Sequence, residues 1–151
     1  MKTLVLTILM LFTIHFGIAQ TDSVQVYIES ETQIPYNGTY LVYHENGNLQ
    51  IEANFVNGKA HGTYTEYYND GTKKEVRNYN NGLFEGTWYR FSAEGNIIGL
   101  ANFKNNKKHG NWVIYDEIAK RKVLVVYNEG KKVGTSYMYD ESGLIVAEQS
   151  F

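Results

Sequence analysis

The sequence predicts an all-β protein: an open, elongated, single-layer antiparallel sheet of about five tandem β-hairpin repeats. Two observations carry this. Gly38, Gly62, Gly86, Gly110 and Gly134 stand 24 residues apart, and the surrounding residues repeat with them. The composition agrees, with 13 Tyr, 7 Phe, 2 Trp and 14 Gly among 151 residues and few of the residue types that build helices.

In chain order, Met1-Lys2 is a short basic start to an apolar run, Leu4 to Ile18, closed by the small residues Gly17 and Ala19. That pattern is expected of a secretory signal peptide, residues 1–19, cut after Ala19. The apolar run falls short of the ~20 residues of a membrane span. A lipoprotein anchor needs a Cys, and the chain has none. Residues 20–36 form a leader in which Val24-Gln-Val-Tyr-Ile28 alternates like a capping strand and Pro35 interrupts pairing. The expected location is therefore secreted or periplasmic.

Residues 37–151 hold the five blocks. With each anchor Gly as position zero, position +5 is Tyr43, Tyr67, Phe91, Tyr115 and Tyr139, and position +17 is Phe55, Tyr79, Phe103, Tyr127 and Phe151. Position +9 is Gly47, Gly71, Gly95 and Gly143, with Ala119 as the exception. Asn46-Gly47 and Asp70-Gly71 between β-prone runs are hairpin signals, because Asn and Gly accept positive φ. The second run, as in Leu49 to Phe55, alternates with the period of a half-buried strand. Asn57-Gly58, Asn81-Gly82, Asn105-Asn106 and Glu129-Gly130 then open a loop to the next anchor. Five blocks give about ten strands in a meander. Block four should form a different turn over Asp116 to Arg121, and block five, with Ser136 in place of an aromatic, reads as a terminal repeat.

These residues, G-x-W/Y-x-x-Y/F followed by N/D-G, Y/F and N-G, resemble the MORN repeat, and more closely its bacterial variant, over Asn37 to Phe151. The resemblance implies a row of β-hairpins in a twisted open sheet and a non-enzymatic role in contacting proteins or membranes. Some members of that variant family are described as antitoxins. Export would separate this chain from the cytosol, where most toxins of that kind act.

Catalytic signatures are missing: no G-x-S-x-G, H-E-x-x-H or G-x-x-x-x-G-K occurs. Equivalent positions in successive blocks lie roughly 10 Å apart, so His61 and His109, two blocks apart, cannot share a metal. The reading is a protein that is not an enzyme, with no cofactor and no metal.

Two surfaces are candidates for partner binding. The rings at +5 and +17 are expected to stack as the structural ladder. Tyr40, Tyr64, Trp88 and Trp112 precede the +5 row by three residues, which gives them opposite strand parity unless a bulge intervenes. They form either an exposed contact stripe or the packed side. Lys107, Lys108, Lys131 and Lys132 occupy equivalent loop positions, within a stretch from Lys104 to Lys132 that has 8 basic and 3 acidic residues. From Gln20 to Phe103 the balance is 5 basic to 10 acidic. The expected partner is another protein, with self-association through the C-terminal edge strand as a further route. The alternatives are a glycan stacked on exposed Trp88 and Trp112, or an anionic membrane surface at the lysine rim. Nucleic acid is not expected of an exported chain with net charge −2.

Overall fold

The computed structural model describes residues 34–151. The signal peptide and the capping strand expected at Val24–Ile28 lie outside the described residues. Within them the chain forms thirteen strands and no helix: β1 (Gly38–Tyr43), β2 (Leu49–Val56), β3 (Lys59–Tyr67), β4 (Lys73–Asn80), β5 (Leu83–Phe84), β6 (Gly86–Phe91), β7 (Ile97–Lys104), β8 (Lys107–Lys108), β9 (Gly110–Asp116), β10 (Arg121–Asn128), β11 (Lys131–Lys132), β12 (Thr135–Tyr139) and β13 (Ile145–Ser150). They make one antiparallel sheet in the order β1-β2-β3-β4-β6-β7-β9-β10-β12-β13, with β5, β8 and β11 as short extensions pairing with β4, β7 and β10. The ten-strand meander read from the repeat is this path.

Both connections of each of the first four blocks are hairpin turns. The loop expected at Asn57-Gly58 is the tighter of the two. Val56 pairs with Lys59, and Asn57 and Gly58 carry φ of 50° and 70°, the two positive values a primed two-residue turn needs. Asn81, Asn105 and Glu129 repeat that conformation at φ of 50°, 48° and 48°. The wider turn is closed by backbone bonds such as His44 N to Asn48 O, 2.8 Å, and Gly47 N to His44 O, 2.9 Å. Block four departs as expected: Asp116 Oδ1 accepts from Ile118 N and Ala119 N, and the positive φ passes to Lys120 at 52°.

The anchor glycines have a conformational rather than a packing role. Gly86 has φ +77° with open space where a Cβ would stand. There the chain takes two extra residues against β4, since Tyr79 faces Phe84 while Val76 faces Tyr89. The strand is thereby bent and split into β5 and β6 without exchanging its faces.

The register decides which rings share a face. At the turn Tyr43 pairs with Leu49, but Val42 pairs with Ile51, leaving Gln50 as a bulge. Lys74, Ile98 and Val146 are the extra residues at the same place in blocks two, three and five. Beyond the bulge Gly38 pairs with Phe55 and Tyr40 with Ala53, so positions +2 and +17 share one face, here called the front. Position +5 is on the back.

The front carries the core. Phe84, Ala101, Phe103, Trp112 and Val125 are buried, with Tyr79, Trp88, Val123 and Tyr127 packed against them. Ring contacts run Tyr64–Tyr79 (6.3 Å), Tyr79–Phe84 (4.8 Å), Phe84–Phe103 (5.1 Å), Phe103–Trp112 (5.1 Å) and Trp112–Tyr127 (5.2 Å). Offset and edge contacts of this kind add about 0.5–1.5 kcal/mol each beyond area burial. At Ser136 no ring continues the series, and the stack ends.

The back is fastened by a polar ladder. Thr39, Thr63 and Thr87 donate through Oγ1 to Asn54, Asn78 and Asn102 Oδ1 at 2.8, 3.3 and 2.8 Å. The amides of Asn78 and Asn102 then donate to the carbonyls of Thr87 and Asn111 in the next block, at 2.9 and 2.7 Å. The second and third blocks are thus each bonded sideways to the block that follows.

Candidate functional site

The structure corrects the expected ladder. Phe55, Tyr79, Phe103 and Tyr127 stack on the front, whereas Tyr43, Tyr67, Phe91 and Tyr115 stand on the back. The front stack takes its second set of rings from the row that the sequence left as either an exposed stripe or the packed side. Trp112 is only 4% exposed and donates from Nε1 to Asn102 O at 3.0 Å. Trp88 is half-buried, stacked on Phe84 at 5.5 Å and 10°. Tyr64 lies 6.3 Å from Tyr79, and Tyr40 lies 6.3 Å from Phe55. Of the two readings of this row, the packed side is the one realised. The physical reason is the bulge that moves the partner strand by one residue in the hairpins of Tyr40, Tyr64 and Trp88; in the hairpin of Trp112, which has no bulge, the altered turn over Asp116 to Arg121 gives the same register. A glycan stacked on exposed Trp88 and Trp112 loses its platform.

Position +15, which faces these rings, is Ala53, Arg77, Ala101 and Val125. Arg77 is the exception to small apolar packing. It is 5% exposed, with its guanidinium 5.0 Å from the Tyr64 ring centre and 4.8 Å from that of Trp88. It is paired and hydrogen-bonded to Glu75 two residues earlier on the same face. Burial pushes the Tyr64 and Tyr79 phenols above their ordinary range, partly countered by the Arg77 charge. The residue type does not mark Arg77 as buried. The signal is its place in register with Ala53 and Ala101.

The lysine rim exists but is divided between the two faces. Lys108 pairs with Phe103 and Lys132 with Tyr127, on the front; Lys107 pairs with Lys104 and Lys131 with Asn128, on the back. Lys108 Nζ lies 4.5 Å from the Trp112 ring centre and 5.1 Å from that of Tyr127. Burial, then the neighbouring Lys132 charge, lowers its pKa. Lys132 sits 4.7 Å over Phe151, and Lys107 makes a 3.2 Å ion pair with Glu129. Lys131 is exposed and makes no ion pair among the described residues. The rim is a set of lysines over aromatic rings on one face and a charged row on the other.

On the back, the +5 row of Tyr43, Tyr67, Phe91, Tyr115 and Tyr139 crosses the sheet near its wide-turn rim, half-buried except for Tyr43 at 57% exposure. Lys122 Nζ lies 4.8 Å over the Tyr139 ring. β13, with all six residues exposed, pairs only with β12 among the described residues.

The histidines act as local fasteners. His44 Nε2 is 3.0 Å from Tyr67 O, and Asn81 N donates to His61 Nδ1 at 3.5 Å. His109 Nδ1 stands 4.0 Å from a Glu129 carboxylate oxygen. Among the described residues no three His, Asp or Glu side chains come together as a metal-binding set.

No curated protein matches the chain. The family model described as the MORN repeat variant matches residues 36–57, 60–81 and 84–105. The matched segments are the first three blocks, each with the Thr–Asn rung at +1 and +16. The next block replaces that rung by Asn111 and Val126. Structurally the hairpins nonetheless continue to β13. Between residues 36 and 105 the chain thus carries three repeats of the MORN repeat variant family.

Proposed function

We propose that this chain is an exported, non-enzymatic protein-binding module, in which the sheet serves as a scaffold and its back face as the contact surface. The observation that carries the reading is the +5 aromatic row, five rings with no second layer over them among the described residues. Aromatic residues offer large contact area at low entropy cost and are enriched where binding energy concentrates. Lys104, Lys107 and Lys131 stand on the same face at the opposite rim, within the stretch of 8 basic and 3 acidic residues, so an acidic partner fits it best. The exposed edge of β13 adds a route to self-association by strand addition.

The test is recovery of a partner from envelope and secreted fractions with the protein immobilised. Replacing Tyr67 and Tyr115 by Ser should reduce recovery by about tenfold, the effect of losing one hot-spot contact. Lys131→Glu should weaken capture at low salt and matter less as salt rises. A stoichiometric partner retained by both variants would place the contact elsewhere. Failure to recover any specific protein would count against the module reading itself.

A further inference from the structure

The position-by-position register places a hollow on the front face where the packing series is interrupted. In the row beside the aromatic stack, positions +4 and +13 run Val42, Ile51, Glu66, Glu75, Arg90, Gly99, Ile114, Val123, Met138 and Ala147 across the sheet. Gly99 has no side chain to fill its place. The result is a hollow of about 80 Å³ lined by Trp88, Arg90, Ala101, Trp112 and Ile114 around Gly99. Gly99 carries no positive φ, and a Cβ there would stand 3.3 Å from Arg90 Cβ. The glycine is therefore not needed for the backbone, and what it provides is space.

Size and charge define what fits. The hollow is small beside the roughly 150 Å³ of an apolar cavity that binds benzene, and a branched aliphatic side chain is of a size to fill it. Its walls are two indole rings and aliphatic groups. Arg90 is exposed at its edge and makes no hydrogen bond or ion pair among the described residues. The facing Glu75 is already bonded to Arg77, so these three charges sum to +1. A ligand that fills the hollow and ends at Arg90 would bring an aliphatic group and an adjacent carboxylate.

We infer that this hollow is a recognition pocket for a protein segment carrying a branched aliphatic residue next to Asp or Glu. The inference rests on the reading of the sheet as a protein-binding module and adds a second contact point on the other face. Trp88 and Trp112 are the 2 Trp of the whole chain, and both line the hollow, so their indole N–H signals report its occupancy.

The experiment is an NMR titration of the protein with acetyl-Leu-Asp-amide, and with acetyl-Leu-Asn-amide and acetyl-Ala-Asp-amide as comparison probes. Both indole signals should shift with the first peptide. The Asn peptide should bind up to about fivefold more weakly, the range of an exposed ion pair. The Ala peptide should bind about tenfold more weakly, as expected for a shortened group in an apolar pocket. Gly99→Val should abolish the shifts. Arg90→Gln, which leaves the packing intact, should erase the difference between the Asp and Asn peptides. Equal binding of all three peptides, or an Asp preference that survives Arg90→Gln, would overturn the inference. That outcome is separable from failure of the module reading: a partner lost on changing Tyr67 and Tyr115 would stand whether or not the dipeptide binds.

Discussion

Replacing Arg77 by Ala should cost about 3–5 kcal/mol, because it leaves the Glu75 carboxylate, 12% exposed, without its hydrogen-bonded partner on the packed face. A domain of this kind is stable by only about 5–15 kcal/mol in total, so the loss should be obvious in urea unfolding. The repeat supplies its own rescue. Block four has Val123 and Val125 where block two has Glu75 and Arg77. Changing both residues of the pair to Val should restore the stability or raise it, since a buried ion pair often contributes no more than apolar packing of similar volume. A double variant as unstable as Arg77→Ala alone would mean that guanidinium contact with Tyr64 and Trp88 stabilises the site, rather than the pair. Either result separates the charge from the rings.

Trp112→Ala should be the other severe change, at about 3–5 kcal/mol. It removes the most buried ring of the core and breaks contact with Phe103 and Tyr127 together. It also takes away the indole donor of Asn102 O and the ring beneath Lys108. Tyr43→Ala, on the back face and 57% exposed, should change stability by about 0.5 kcal/mol or less. Thermal unfolding of the two variants gives the comparison. Similar losses at both positions would mean that the two faces contribute equally to the core.

Much of the fold was legible because the repeat exposes each local rule five times. Strand count, strand direction, the Asn-Gly and Asp-Gly turns and the altered turn of block four all follow from residues whose local chemistry is decisive. Face assignment depends on a single residue. If the pairing of Tyr43 with Leu49 ran on without interruption, Phe55 would share a face with Tyr43. The bulge at Gln50 instead sets Phe55 beside Tyr40, and the same slip recurs at Lys74 and Ile98. The Thr–Asn rungs carried the missing information. Thr at +1 and Asn at +16 bond across the hairpin only in the slipped register, which also sets +2 beside +17. The candidate site was accordingly legible in its residue types and not in its orientation. Trp88 and Trp112 moved inward, the lysine rim divided, and the +5 rings moved to the open face. Gly99 gave no sign of its role, because its meaning comes from the rings on the strands beside it.

The front face is the packed one, and the placement of every other surface follows from it. The most direct test uses Trp88→Phe, which leaves Trp112 as the remaining tryptophan, and measures its emission and its quenching by iodide. The predicted result is emission shifted to the blue of free indole, with little iodide quenching until the protein unfolds. Emission like that of free indole with full quenching in the folded protein would put the tryptophan row outside and contradict the register on which every surface described above depends.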